Sequence, residues 1–208
     1  MKDQPTTVFV IDDDEAVRSS VKLLLKSVNL PVAVFASAQD FLARYSPEQP
    51  GCLVVDVRMP GMSGLDLQQQ LNLRGAIIPL IFITGHGDIS MAVEAMQHGA
   101  FDFLPKPFRD QDLLDRVQLA IKKDADSRRE LNQGERIREC LASLTPRERE
   151  VLALVTAGKP NKVMAAELGV SQRTVEIHRA RVMEKMRAGS LAQLVRMTLD
   201  LNPHAAGA

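Results

Sequence analysis

FVIDDDEAVR, residues 9–18, sets an aliphatic run against four consecutive acids. Like charges on adjacent side chains repel, so the run needs a cation nearby or must largely face water. The apolar part belongs to VFVID (8–12), which reads as a buried strand. Val17, Val21, Leu24, Leu25 and Val28 follow at helical spacing. The acids therefore fall where a strand hands over to a helix. That transition recurs along the first half of the chain. Strand-like PVAVF (31–35), CLVVDV (52–57), PLIFITG (79–85) and FDFLPKP (101–107) are each followed by a helical segment, the last from Asp110 to about Lys123. Five such units with continuous apolar strands predict a doubly wound (βα)5 parallel sheet, covered by helices on both faces.

Functional groups of such a sheet gather at the carboxyl ends of its strands. Those ends carry Asp12 and Asp13, Asp56, Thr84 and Lys106. Three carboxylates, a hydroxyl and an ammonium are expected on one rim. That set suits a hard divalent cation, Mg²⁺ above all, which takes carboxylate oxygens and keeps several waters. Asp56 is placed to act as a nucleophile in aspartyl-phosphate chemistry. Lys106 can pair with phosphoryl oxygens as a mobile point charge, and the Thr84 hydroxyl can donate to another. Asp14 and Glu15 are better read as helix-start residues, where negative charge meets the amino-terminal dipole.

Residues 124–138, DADSRRELNQGERIR, are polar and lack a strong apolar face. They read as a linker, with a helical continuation of the fifth helix as the alternative. Beyond them every periodicity is helical. Thr145-Pro146-Arg147-Glu148 has the form of a capping box with proline at the first helical position. Asn161–Leu168 and a longer helix capped by Ser171 are joined through Gly169, a helix-turn-helix arrangement. Ser190 begins a last helix carrying Leu191, Leu194, Val195 and Leu199, a stripe suited equally to a core or to a second copy. On the longer helix Val175, His178, Val182 and Met186 should face the core, leaving Arg173, Ile177, Ala180 and Glu184 opposite. Between residues 171 and 187 five Lys or Arg stand against two Glu, which favours phosphate contact. Arg173, Glu176, Ile177 and Ala180 are candidates for reading base edges, and Lys162, Thr174, Arg179 and Lys185 for the backbone, with Arg181 and Arg187 flanking.

The two halves differ in charge. Residues 1–124 hold 12 Lys and Arg against 16 Asp and Glu, and residues 125–208 hold 14 against 10. Only the second half is suited to a polyanion. Two cysteines in no CxxC pair fit a reducing compartment. MKDQPTT lacks the apolar core of a signal peptide, and no apolar run approaches a membrane span, so a cytoplasmic protein with no membrane partner is expected.

DD at 12–13, DVRMPGMSG at 56–64, TG at 84–85 and KPF at 106–108 resemble the receiver domain of two-component response regulators. LTPRERE, AGKPNKVMAAELGVSQRTVEIHR and SLAQLVRM resemble the LuxR-type DNA-binding domain, here a four-helix all-α unit. The combination is similar to the NarL/FixJ family, and within it to its nitrogen-fixation regulators. The domains expected are a receiver over 1–123, a linker over 124–138 and a helix-turn-helix domain over 139–208. The resemblance implies that Asp56 accepts phosphate from a sensor histidine kinase. It places Mg²⁺ on Asp13, Asp56 and the backbone carbonyl of Arg58, with Asp12 acting through water. It makes Thr84 and Phe103 a switch pair, although Phe103 lacks the hydroxyl of the tyrosine common there. Phosphorylation would then promote a homodimer through the fourth helix, fifth strand and fifth helix. The implied output is activation of transcription, with promoter double-stranded DNA and RNA polymerase as partners. His86, two residues beyond Thr84, is a candidate with Arg58 for tuning phosphate lifetime, a solvent-facing loop histidine being the alternative.

Two rival readings remain. A phosphohydrolase could use Asp12 in an Asp-x-Asp-x-Thr motif, but position 16 is Ala and no cap insertion follows. A constitutive DNA-binding protein would have no use for Asp56, Thr84 and Lys106 together. The expectation is therefore a regulator and not an enzyme, beyond turnover of its own phosphate.

Overall fold

The computed structural model describes residues 5–85 and 89–201. The chain divides into two compact units, Met1–Arg128 and Arg129–Ala208.

The first unit is built on strands β1 (Thr7–Ile11), β2 (Val32–Phe35), β3 (Gly51–Asp56), β4 (Leu80–Thr84) and β5 (Asp102–Pro105). They form one sheet in the order β2-β1-β3-β4-β5, with every pair parallel. Side chains alternate across a strand, and the aliphatic runs use both faces. Phe9, Ile11, Leu53, Val55, Leu80 and Phe82 enter one core, with Phe41 of α2 (Ala38–Arg44), Leu67 and Leu71 of α3 (Gly64–Leu73) and Ala95 of α4 (Ile89–Gln97). Val8, Val10, Cys52, Val54, Ile81 and Ile83 enter the other, with Val21 and Leu25 of α1 (Glu15–Ser27) and Leu113 and Val117 of α5 (Asp110–Ala142). Burial, with Asp124 nearby, pushes the Cys52 thiol up to about 12, so this cysteine is an inert core residue.

The second unit is helical: the end of α5, then α6 (Pro146–Thr156), α7 (Asn161–Leu168), α8 (Gln172–Lys185) and α9 (Leu191–Leu201). Its core holds Ile137, Val151, Met164, Val175, Val182, Met186 and Leu194. Three of the four residues expected to face inward on α8 are therefore buried. His178 is half-buried, with Nδ1 enclosed and unpartnered.

At one boundary the structure takes the alternative that the sequence left open. The fifth helix does not end near Lys123 but continues without a break to Ala142, through the stretch that suggested a linker. No helix among the described residues is long and apolar enough to cross a membrane.

Candidate functional site

The order of strands reverses between β1 and β3, and there a doubly wound sheet opens a crevice at its carboxyl edge. Asp12 follows β1 directly and Asp56 ends β3, so both carboxylates reach that crevice. Both residues are buried. Lys106, just beyond β5, places its Nζ 2.9 Å from Asp12 Oδ2 and 2.6 Å from Asp56 Oδ1. One ammonium thus bridges two carboxylates that lie 94 and 50 residues away in sequence. Their other oxygens are held by backbone: Asp14 N–H donates to Asp12 Oδ1 and Arg58 N–H to Asp56 Oδ2, each at 2.8 Å. The Arg18 guanidinium donates to the Asp12 carbonyl at 2.7 Å. Thr84, also buried, ends β4, and its carbonyl accepts from the Lys106 N–H at 2.7 Å.

The pair's electrostatics follow from burial. Asp56 has its pKa raised: desolvation raises it, Lys106 and the Arg58 N–H pull it back, and Asp12 adds to the rise. Burial works against the Lys106 charge, yet hydrogen bonds to Asp56 and Asp12 carry its pKa above the usual lysine value. The carboxylate is thus nucleophilic and less solvated than one in water, beside a permanent cation.

The start of α3 shapes the floor. Ser63 and Asp66 form a reciprocal capping box. A Cβ on Gly64 would come within 2.5 Å of the Asp56 carbonyl oxygen, so the glycine permits the close approach of helix to strand.

Of the three acids expected on one rim, Asp12 and Asp56 are brought together through Lys106. Asp13 is exposed, and among the described residues no three His, Cys, Asp or Glu side chains are disposed to hold a metal. The reason is local. Asp13 follows the buried Asp12 directly and is exposed, and Lys106 bridges Asp12 and Asp56. The donor chemistry still fits a hard cation, because two buried carboxylates share one positive charge and a third adjoins them. Asp14 behaves as expected: its side chain accepts from Ala16 N–H at 2.8 Å and caps α1, with Glu15 in the first turn. His86 lies outside the described residues.

Phe103 is not core. It is 37% exposed on the edge strand β5 and lines a shallow hollow of about 390 Å³ with Ala92, Val93, Met96 and Gln97 of α4. Val93 and Met96 are themselves exposed, so α4 and β5 share an apolar outer patch.

In the helical unit, Thr145 caps α6 through Glu148 and α7 stops at Gly169, whose φ is 66°. Ser171 then caps α8 by accepting from Thr174 N–H at 3.1 Å. Lys162, Arg173, Glu176, Ala180, Arg181 and Arg187 are exposed, as is Ile177 at 47%. An aliphatic side chain this open on a polar helix face is suited to a thymine methyl. Thr174 is half-buried and shares a 2.8 Å hydrogen bond with the Ser171 hydroxyl. Arg179 is half-buried and donates to the Asn161 side chain, tying α8 to the start of α7.

Lys185 departs from its expected role. Its Nζ lies 2.6 Å from Glu148 Oε2 and 3.2 Å from the Ser143 carbonyl, so its charge is already engaged inside the unit. Nothing in the sequence marks this pairing, because Glu148 is legible only as a capping residue. Lys185 and the Thr145 N–H hold the Glu148 pKa down at about 2. A depressed carboxyl stabilises the fold above its unfolded pKa, near 4.5, and that contribution is lost as pH falls toward 2. Glu148→Gln should therefore lower the thermal unfolding midpoint at pH 6, and the gap to wild type should close between pH 4.5 and 2. A gap independent of pH would remove the ion pair from the account.

Comparison with known proteins agrees with this geometry. Residues 8–118 match the family described as response regulator receiver domain, and residues 142–198 match bacterial regulatory proteins of the luxR family. Nodulation protein W of Bradyrhizobium diazoefficiens is 50% identical over 194 residues, 93% of this chain and 86% of its own. The transcriptional regulatory protein FixJ of Azorhizobium caulinodans is 48% identical over 192 residues, 92% of this chain and 91% of its own. The solved structure of the response regulator StyR superposes with a TM-score of 0.86 at 46% identity, covering 93% of this chain and 98% of that one. With the acid–lysine crevice in one unit and the helix-turn-helix in the other, the chain belongs to the response regulators that join a receiver domain to a LuxR-type DNA-binding domain, and is a phosphorylation-dependent regulator of transcription.

Proposed function

We propose that Asp56 is the phosphoacceptor and that its phosphorylation by a sensor histidine kinase turns the chain into a dimeric transcription activator. The observation that carries this reading is Lys106 bridging Asp56 and Asp12 at 2.6 and 2.9 Å at the sheet's switch point. A carboxylate oxygen of Asp56 attacks the phosphorus of a phosphohistidine. The P–N bond breaks as the acyl phosphate forms, and the imidazole leaves with a proton from solvent. Lys106 moves from the Asp56 oxygen to a phosphoryl oxygen and balances the added charge. Thr84 donates its hydroxyl to a second phosphoryl oxygen. Mg²⁺ would be held by Asp13, Asp56 and the Arg58 carbonyl, with Asp12 through water, and supplies further neutralisation of phosphoryl charge. No turnover of an external substrate is proposed.

Phosphate biases a pre-existing equilibrium. Thr84, drawn to the phosphoryl group, leaves room for Phe103 to turn inward. The apolar patch of Val93, Met96 and Phe103 supports α4, β5 and α5 as the face that meets a second copy. Two helix-turn-helix units then address two half-sites of a promoter, with RNA polymerase as the downstream partner. Arg173, Glu176, Ile177 and Ala180 read bases, while Lys162, Arg181 and Arg187 contact phosphates. Nitrogen-fixation promoters are the proposed targets, supported by the 48% identity to a FixJ protein.

The test treats the full chain with acetyl phosphate and Mg²⁺, beside Asp56→Asn. Wild type should gain one phosphoryl mass, shift toward dimer, and bind promoter DNA about tenfold tighter or more. The variant should do none of these. Equal DNA affinity with and without phosphodonor in wild type would leave a constitutive DNA-binding protein.

A further inference from the structure

The carboxyl end of α5 turns one side toward a hollow. Asn132, Arg136, Cys140 and Ser143 recur at helical spacing, with Ile137 beside them, so they share that side. The hollow has a volume of about 810 Å³ and is bordered further by the end of α8, the turn after it, and α9. Every residue lining it belongs to the helical unit. Clefts of ~300–1,000 Å³ are the size that takes a small ligand.

The lining divides by chemistry. Ile137 and Met186 are buried, and Cys140 and Met197 are half-buried, which gives an apolar base rich in sulfur. Polarizable sulfur makes favourable contact with the edge of an aromatic ring. Around this base stand four Lys or Arg against one acid, Glu139. Lys185 is already neutralised by Glu148, and Arg129 has a partner of its own. Arg136 and Arg187 are exposed, and among the described residues their side chains have no hydrogen-bond or ion-pair partner. A planar guanidinium offers parallel N–H donors that match a carboxylate, and it can also stack on a ring.

Arg187 holds a backbone conformation that its residue type disfavours. Its φ is 53°, in the left-handed region, at the turn that ends α8, and its N–H donates to the Glu184 carbonyl at 3.0 Å. Glycine is the usual residue in that place, because a Cβ makes the conformation costly. The other non-glycine residue described with positive φ is Asn29, a type that tolerates it. An arginine held there at a cost points to a use for its side chain.

We propose that this hollow binds a small aromatic carboxylate, with its anionic group on Arg136 and Arg187 and its ring against Cys140 and Met197. The site lies within one unit and is independent of phosphate on Asp56.

The experiment is calorimetric titration of the full chain with naphthoate. A dissociation constant of about 0.1 mM is expected, in the range open to a ligand of that size. Bound naphthoate should slow the reaction of Cys140 with a maleimide in proportion to occupancy. Cys52, at 0% exposed, does not compete for the reagent. Arg136→Gln and Arg187→Gly should each weaken binding about tenfold or more, as loss of a charged hydrogen-bond partner does. Arg187→Gly relieves the left-handed backbone, so its thermal unfolding midpoint should equal or exceed that of wild type, and its lost affinity is not unfolding. Arg187 is also placed against DNA phosphate above, whereas Arg136 is not, so Arg136→Gln tests the hollow apart from DNA. Neutral naphthamide should bind about tenfold more weakly than naphthoate or worse. Equal binding of the two would leave an apolar hollow without an anion site and overturns the proposal. Unaltered affinity in either variant overturns it too, as does the absence of heat and of Cys140 protection at millimolar naphthoate. Inorganic phosphate should leave the thiol unprotected, and protection by phosphate alone would overturn the aromatic assignment.

Discussion

Lys106→Met is expected to slow phosphoryl uptake by Asp56 about a hundredfold or more. The lysine is the one cation in hydrogen-bond contact with both buried carboxylates among the described residues. Removing a single preorganised donor at a site of developing charge costs about 10²–10³ in rate, and here the lost donor is also the counter-charge. Mass spectrometry after timed exposure to acetyl phosphate reads the effect directly. Stability should respond with a definite pH sign. The Asp56 pKa is raised by burial and held back mainly by Lys106, so the substitution lets it climb further. A group whose folded pKa is raised keeps its contribution at low pH and loses it as pH rises through the folded value. The variant should therefore be destabilised more at pH 8 than at pH 5, by about 2–3 kcal/mol at the higher pH once the partial exposure of Lys106 is allowed for. Equal penalties at the two pH values would mean that the bridge does not govern Asp56.

Gly51→Ala should be the most damaging small substitution in the receiver unit. Gly51 opens β3 opposite Thr7 in the central pair of strands. A Cβ there would lie 1.8 Å from the Thr7 carbonyl oxygen, and φ is +151°. The overlap is with the Thr7 backbone, so no side chain can rotate away. Relief requires β1 and β3 to separate where Thr7 N–H bonds the Pro50 carbonyl. It would also disturb the Gly51 N–H that holds Asp124. A loss of about 4 kcal/mol or more is expected, read from urea unfolding, with soluble yield falling alongside. A loss below about 1 kcal/mol would show that the strand pair accommodates a methyl group.

Much of the receiver unit is local in origin and therefore legible. Each aliphatic run alternates two faces that must both be covered, so a parallel sheet with two helix layers follows from pattern alone. Caps are equally local: Asp14, Ser37, Ser63, Thr145 and Ser171 all accept from the first turn of the helix they precede. The carboxyl-end rule brought Asp12, Asp56, Thr84 and Lys106 to one edge. It could not say that Lys106 would lie between the two acids while Asp13 turned outward, because that depends on side-chain direction after the strand has ended. In the helical unit, periodicity placed Val175, Val182 and Met186 inward correctly. Charge counting credited Lys185 to DNA, because a lysine on a helix surface carries no mark of its partner 37 residues earlier.

The four acids of FVIDDDEAVR mark the same division. That Asp14 caps a helix and Glu15 begins it was determined by the sequence, since both bonds and dipole act within one turn. Only the tertiary structure decided how Asp12 is neutralised, because its counter-charge arrives from 94 residues away on another strand's exit. It also decided that residues 124–138 are helix. The polar stretch has no apolar face by which a linker and a helix could be told apart, and its anchors, Arg128 on the carbonyls of Pro47 and Gln49 and Ile137 in the helical core, come from residues distant in sequence.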